Sequence, residues 1–161
     1  MKNVLVTGGC GFIGSNFIRW LIQNETNVKI YNLDLLTYAG NHENLRDIEA
    51  SNRYNFIHGD ICDHQLVNKI FHTFQIDTVV HFAAESHVDR SILGPEQFIR
   101  TNIIGTTVLL DAARVNWKKV DDEYMDRYRF HHVSTDEVSG TLSPNDPPFS
   151  ECTPYAPTSP Y

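Results

Sequence analysis

Apolar residues recur along this chain in two alternating rhythms, short unbroken runs and helically spaced stripes. Val4, Leu5 and Val6 form the first run, expected as a strand over residues 3–7. Phe17, Ile18, Trp20, Leu21 and Ile22 follow at helical spacing and place a helix over about 13–24. Val28, Ile30, Tyr31 and Leu33 give a second strand over 28–33. Leu35 to Ala50 reads as a loop entering a short helix, with Asn41 or His42 near its start. Tyr54, Phe56 and Ile57 make a third strand, ended by Gly59-Asp60. Asp63 then caps a helix carrying Leu66, Val67, Ile70, Phe71 and Phe74. Thr78 to Phe82 is the fourth strand, an unbroken apolar run as expected where helices cover both faces of a parallel sheet. Gly94-Pro95 opens a long helix whose buried stripe is expected to be Phe98, Ile99, Ile103, Val108, Leu109 and Ala112. Residues 117–127 are polar and charged, the pattern of a solvated connection, and Tyr128 to Val133 is the fifth strand. Six of the seven prolines lie from Pro144 onward, so that stretch is expected as a loop rather than a helix or strand.

Strands alternating with helical crossovers predict an α/β fold, a Rossmann-type parallel sheet with helices on both faces. Ligands bind such sheets outside the carboxyl ends of the strands. Five polar clusters fall at those ends: Gly8–Gly14, Asp34–Thr37, Asp60-Ile61, Ala83–Ser86 and Ser134–Glu137. Their shared placement is a stronger argument than any one of them.

Composition narrows the partners. The chain has 161 residues, the size of one domain, and a net charge of −7 without a Lys/Arg stripe, which argues against nucleic acid or an anionic membrane. The first residues enter a strand directly, with no secretory pattern, and no apolar run approaches the roughly 18 residues of a membrane span. Three cysteines without C-x-x-C spacing fit reduced thiols and a cytoplasmic setting. The eight histidines make no H-x-x-x-H or H-E-x-x-H pair, and adjacent His131 and His132 point to opposite faces of a strand, so no metal site is expected.

The first cluster carries the clearest chemistry. Gly8, Gly11 and Gly14, or equally Gly9, Gly11 and Gly14, form a glycine turn between the first strand and the first helix. Such a turn lets a pyrophosphate approach the backbone and meet the free N–H groups of a helix N-terminus. Asp34 follows Gly14 by twenty positions and closes the second strand. A carboxylate there suits the adenosine ribose hydroxyls and repels a 2′-phosphate, so the expected cofactor is NAD rather than NADP.

At Ser134-Thr135-Asp136-Glu137 and Tyr161 the chain resembles the extended short-chain dehydrogenase/reductases and, within them, the nucleotide-sugar 4,6-dehydratases. The matching stretches are TGGCGFIGSNFIRW (7–20), LDLLTYAGNHENL (33–45), HFAAESHVDRSI (81–92), VSTDEVSG (133–140) and TPYAPTSPY (153–161). The resemblance implies conversion of dTDP-glucose to its 4-keto-6-deoxy product plus water, with bound NAD as transient hydride acceptor. It also implies roles for single residues. Asp136 would be the acid at the departing C6 hydroxyl, Glu137 the base at C5–H and Tyr161 the oxidation base at O4, with Thr135 hydrogen-bonded near O4. Ser86 falls where the family contacts substrate. Cofactor contacts would come from Phe12, Ile13, Asp34, Leu35, Leu36, Thr37, Asp60, Ile61, Ala83, Ala84, Glu85 and Thr101, beside the glycines. A homodimer through helices, one of them about 96–116, is the family habit.

Two departures from the family pattern stand out. Ser139 occupies a position where the family has Tyr, which removes apolar packing beside the acidic pair. The family's Lys, four positions beyond Tyr161, lies outside the sequence. Residues 1–161 are therefore expected as an NAD-binding domain, incomplete at its carboxyl end and without a substrate domain. Three alternatives stay open: a UDP-sugar 4,6-dehydratase, a 4-epimerase, or a non-catalytic NAD-binding remnant. Ser, Thr and Asp are also ordinary cap residues, so a solvated acidic turn is the plain reading of 134–137.

Overall fold

The computed structural model describes residues 1–118 and 127–161, so most of the expected connection over 117–127 lies outside the described residues. Its strands are β1 (Asn3–Thr7), β2 (Lys29–Asp34), β3 (Tyr54–His58), β4 (Thr78–His81) and β5 (Arg129–His132). They form one sheet in the order β3-β2-β1-β4-β5, and every neighbouring pair is parallel. The helices are α1 (Phe12–Asn24), α2 (His64–Phe74), α3 (Val88–Leu93), α4 (Pro95–Phe98) and α5 (Thr106–Trp117). From β1 the chain winds outward through β2 to β3, then returns to the other side of β1 for β4 and β5. The direction of winding reverses between β1 and β4, the place where parallel sheets open a crevice.

Period-two alternation divides β1 between two cores. Val4 and Val6 pack with Ile18 and Leu21 of α1 and with Ile30 and Val80. Leu5 points the other way, into a cluster with Val67, Ile70 and Phe71 of α2 and Val108 and Leu109 of α5. Each such side chain, fully buried, contributes about 1.5–3 kcal/mol, so the two faces together fix the register of β1.

Helix ends match the residues that begin them. The Asp63 side chain accepts hydrogen bonds from the N–H groups of Gln65 and Leu66, and Gln75 closes α2 in the left-handed region at φ 49°. Asn41 caps a 3-10 turn at His42–Ile48 by accepting from Glu43 N–H. Between α4 and α5 the chain runs as a π-helix over Ile99–Gly105.

That π segment corrects one expectation. Phe98, Val108, Leu109 and Ala112 are buried as the stripe requires, but Ile99 and Ile103 are exposed. At about 100° per residue, Ile99 and Ile103 fall roughly 100–140° round the helix from the face that Phe98, Leu109 and Ala112 share. Thr106 reaches His81 of β4 and Asn102 the loop beyond it, while Ile99 and Ile103 are turned to solvent. A second difference is α3, an extra helix before Gly94. Its buried residue is Ser91, while Ile92 and Leu93 are 63% and 88% exposed, the reverse of an amphipathic pattern.

Candidate functional site

Where the winding reverses, the carboxyl ends of the strands surround a cleft of about 440 Å³, a size typical of small-molecule sites. Its floor is the glycine turn. Gly8 has φ +69°, and a Cβ there would lie 2.7 Å from the backbone nitrogen of Ala83. A Cβ on Gly14 would strike the carbonyl oxygen of Gly8. Gly11 differs from both, because a Cβ on it would meet only the Gly8 oxygen at 3.3 Å and the Ala39 oxygen at 3.9 Å. Gly8 and Gly14 therefore hold the turn against its neighbours, and Gly11 keeps the cleft wall bare.

Gly11 is also the N-cap of α1, with no side-chain cap and no acidic residue in the first turn. The first helical bond of this turn runs from Ser15 N–H to Gly11 O. The preceding N–H groups, at Phe12, Ile13 and Gly14, border the cleft, and the positive end of the helix dipole lies there. An anion at this point would supply the acceptors that no side chain among the described residues provides.

Asp34 stands at the end of β2 with its carboxylate held from two sides. Cys10 N–H donates to Oδ2 at 2.8 Å and Leu36 N–H to Oδ1 at 2.8 Å. The residue is only 7% exposed, yet it lines the cleft, so the spare lone pairs of an oriented carboxylate face a ligand. The second bond sets Leu36 in the left-handed region, at φ 55°. Asp60 follows β3, accepts from Cys62 N–H at 2.8 Å and is paired with Arg100 at 3.4 Å. Burial, aided by the Asp34 carboxylate, pushes the Cys10 thiol up to about 11, so it stays protonated at neutral pH.

The far wall is tied together by a directional chain of hydrogen bonds. Thr106 Oγ1 donates to Asn102 O at 2.7 Å, leaving its lone pair to accept from His81 Nε2–H at 2.9 Å. His81 Nδ1 must then accept the hydroxyl proton of Thr7 at 2.6 Å, and Thr7 Oγ1 receives Ala83 N–H at 3.4 Å. Burial, with a smaller push from His132, depresses His81 to about 4, in keeping with this neutral tautomer. Asn102 closes the arrangement by accepting from Glu85 N–H and donating to Glu85 O, both at 2.9 Å. The π segment thus places Thr101 on the cleft wall while its neighbour Asn102 holds the loop after β4.

The sequence-derived residues divide accordingly. Gly8, Gly11, Phe12, Ile13, Gly14, Asp34, Leu35, Thr37, Asp60, Ile61, Ala83, Ala84, Glu85, Ser86, Thr101 and Tyr161 all line this cleft. Leu36 is beside it, engaged through its N–H with Asp34. Thr135, Asp136 and Glu137 are not on the cleft wall, although Ser134 is. Asp136 and Glu137 are solvent-exposed on a 3-10 turn at Asp136–Ser139, where Thr135 Oγ1 accepts from Glu137 N–H at 3.3 Å. The capping geometry of the plain reading is therefore present. The Tyr161 ring packs edge-on against Phe98, with centroids 6.2 Å apart. Thr7, His81 and Asn102 were not anticipated as part of the site. Polar residues inside an apolar strand and helix were the only signal of them.

Comparison with known proteins places these features among relatives. The family described as GDP-mannose 4,6 dehydratase matches residues 5–161. The dTDP-glucose 4,6-dehydratase of Salmonella typhimurium is 53% identical over 166 residues, covering 98% of this chain and 46% of the relative. A crystal structure of the Streptomyces venezuelae dTDP-glucose 4,6-dehydratase with NAD and TYD bound superimposes with a TM-score of 0.86. That protein is 43% identical, with 99% of this chain and 47% of the other covered. The UDP-Glc/GlcNAc 4-epimerase of Campylobacter jejuni gives a TM-score of 0.84 at 29% identity, covering all of this chain and 45% of the epimerase. The chain spans about half the length of the curated relatives it matches.

Proposed function

The chain belongs to the GDP-mannose 4,6 dehydratase family, and from that premise we propose that it forms the NAD-binding part of a dTDP-glucose 4,6-dehydratase. Residues 1–161 constitute the cofactor domain in this reading. The observation that carries the proposal is the cleft itself, with a bare Gly11 wall, uncapped α1 N–H groups and an oriented Asp34 carboxylate around one space. The α1 N-terminus would take the pyrophosphate, Asp34 the adenosine ribose, and Thr101 and the Ala83–Glu85 loop the nicotinamide half. When bound, NAD supplies a reversible hydride store.

The protein's own groups handle protons. Tyr161, on the cleft wall, would take the proton from the O4 hydroxyl of the sugar, with the Thr135 hydroxyl bonded nearby. Glu137 would remove the proton at C5, and Asp136 would deliver one to the departing C6 oxygen. Such a pair needs one protonated and one ionised carboxyl, which a bound sugar enforces by giving each a different environment. Support for this assignment is the motif match together with Ser134, which lines the cleft immediately before the pair. The sugar would therefore reach from the cleft toward the exposed turn.

Exposed Ile99, Ile103 and Leu110 on the π segment and α5 support a homodimer through this face, to be read by sedimentation velocity. A cytoplasmic setting belongs to the same reading, since its substrate is a nucleotide sugar.

The deciding experiment mixes the purified chain with NAD and dTDP-glucose and looks for the alkali-labile 4-keto product. Product formation supports the dehydratase, and Asp136→Asn or Glu137→Gln should then lower the rate by about 10²–10⁴-fold. Turnover of UDP-glucose alone would favour the UDP-sugar dehydratase or 4-epimerase, a reading that the fold shared with the Campylobacter jejuni epimerase keeps open. Calorimetric NAD binding without turnover of either sugar would leave a binding module.

A further inference from the structure

Arg90 and Tyr38 meet although 52 positions separate them and neither lines the cleft. The guanidinium carbon of Arg90 lies 4.2 Å from the centre of the Tyr38 ring, a cation–π stack. Tyr38 belongs to the loop after β2, whose Thr37, Ala39 and Gly40 are cleft residues. Arg90 belongs to α3, which begins just beyond the cleft residue Ser86. In the sheet, β2 and β4 stand on opposite sides of β1. A contact between the segments that follow them must therefore cross the carboxyl end of β1, where the glycine turn stands.

The Tyr38 loop is anchored at both ends. Leu36 N–H is held by Asp34, and Asn41 N–H donates to Cys10 O at 3.0 Å. On the α3 side Ser91 is fully buried, its Oγ donating to Val88 O of the same helix at 2.6 Å. Tyr38 and Arg90 are both exposed, and they touch each other. The guanidinium also brings positive charge to the rim of a cleft lined by the carboxylates of Asp34, Asp60 and Glu85. Neither side chain belongs to a core cluster, so loss of the stack leaves both cores intact.

We propose that the Arg90–Tyr38 stack is a clasp that retains the dinucleotide, closing the protein over the pyrophosphate at the glycine turn. The inference rests on the NAD reading given above. It makes Arg90 and Tyr38 retention residues that slow ligand release without touching the reacting atoms.

The test measures the rate at which NAD leaves the loaded protein, by displacement in stopped flow, alongside melting of the free protein. Tyr38→Ala and Arg90→Ala should each speed release about fivefold, equivalent to about 1 kcal/mol. The double variant should be no faster than either single one, and Tyr38→Phe should release at the parent rate because the ring is kept. Melting of the free variants should fall by no more than about 2–4 °C, the loss of the stack alone. Unchanged release in both alanine variants overturns the clasp, as does multiplicative acceleration in the double variant. Failure of the parent to bind NAD at all overturns the cofactor reading and the clasp with it, so the two failures are distinguishable.

Discussion

Gly8 and Gly11 stand three residues apart in one turn and respond in opposite ways to an added methyl group. At Gly8 the methyl meets the Ala83 backbone, and the residue must leave a φ of +69° that costs an L-residue about 1–2 kcal/mol. At Gly11 the backbone is extended, with φ −74° and ψ 173°, so alanine asks only a small give of Gly8 O at 3.3 Å and intrudes on the ligand. Gly8→Ala should therefore lower the urea midpoint, by about 2 kcal/mol or more once the contact is added. Gly11→Ala should shift stability by less than about 1 kcal/mol, the scale of a cap change, while calorimetry finds NAD affinity down at least tenfold. His81 gives a pH signature at the same scale. Its folded pKa, about 4, lies below the ordinary 6.5, so the unfolded chain binds more protons between those values. The stability it confers is complete above pH 6.5 and lost as pH falls toward 4, in all about 3 kcal/mol. Urea titrations should show this acid loss in the parent and a much smaller one in His81→Asn.

Elements were legible where one residue type decides them. Asp63 is read as a cap from sequence and accepts two N–H groups in the structure. Asp63→Ala should cost about 1 kcal/mol, measured as a lowered melting temperature. The β1 and α1 boundaries follow the hydrophobic rhythm closely, because strand and helix periods are local properties. The π segment was not legible. Ile99 and Ile103 look like stripe residues by hydrophobicity, but their spacing from Phe98 and Leu109 sets them off the buried face. Nor was α3 legible, since its buried contact is a serine hydroxyl bonded to its own helix. In the site, the glycines and Asp34 announce themselves by spacing. His81, Asn102 and the Arg90–Tyr38 stack depend on segments brought together by the sheet order, and no local pattern encodes that.

For the whole molecule, sheet order ranks the strands. β1 is paired on both edges and packed on both faces, whereas β5 has a described partner only in β4 and its residues are largely exposed. Amide exchange of the free protein should be slowest in Val4–Val6 and faster by orders of magnitude in Arg129–His132. Equal protection in the two strands would contradict this ranking. Saturating NAD, at about 100 times its dissociation constant, should add about 2.7 kcal/mol to unfolding and slow exchange along the glycine turn.

The central position of β1 also governs how the protein is born. Asn3–Thr7 leaves the ribosome before both of its partners, and one of them, Thr78–His81, is still some 75 codons away. At elongation rates of about 5–20 residues per second, that interval lasts about 4–15 s. Throughout it the most apolar strand of the nascent chain has an open edge, which makes Val4–Val6 the segment a chaperone has most reason to hold.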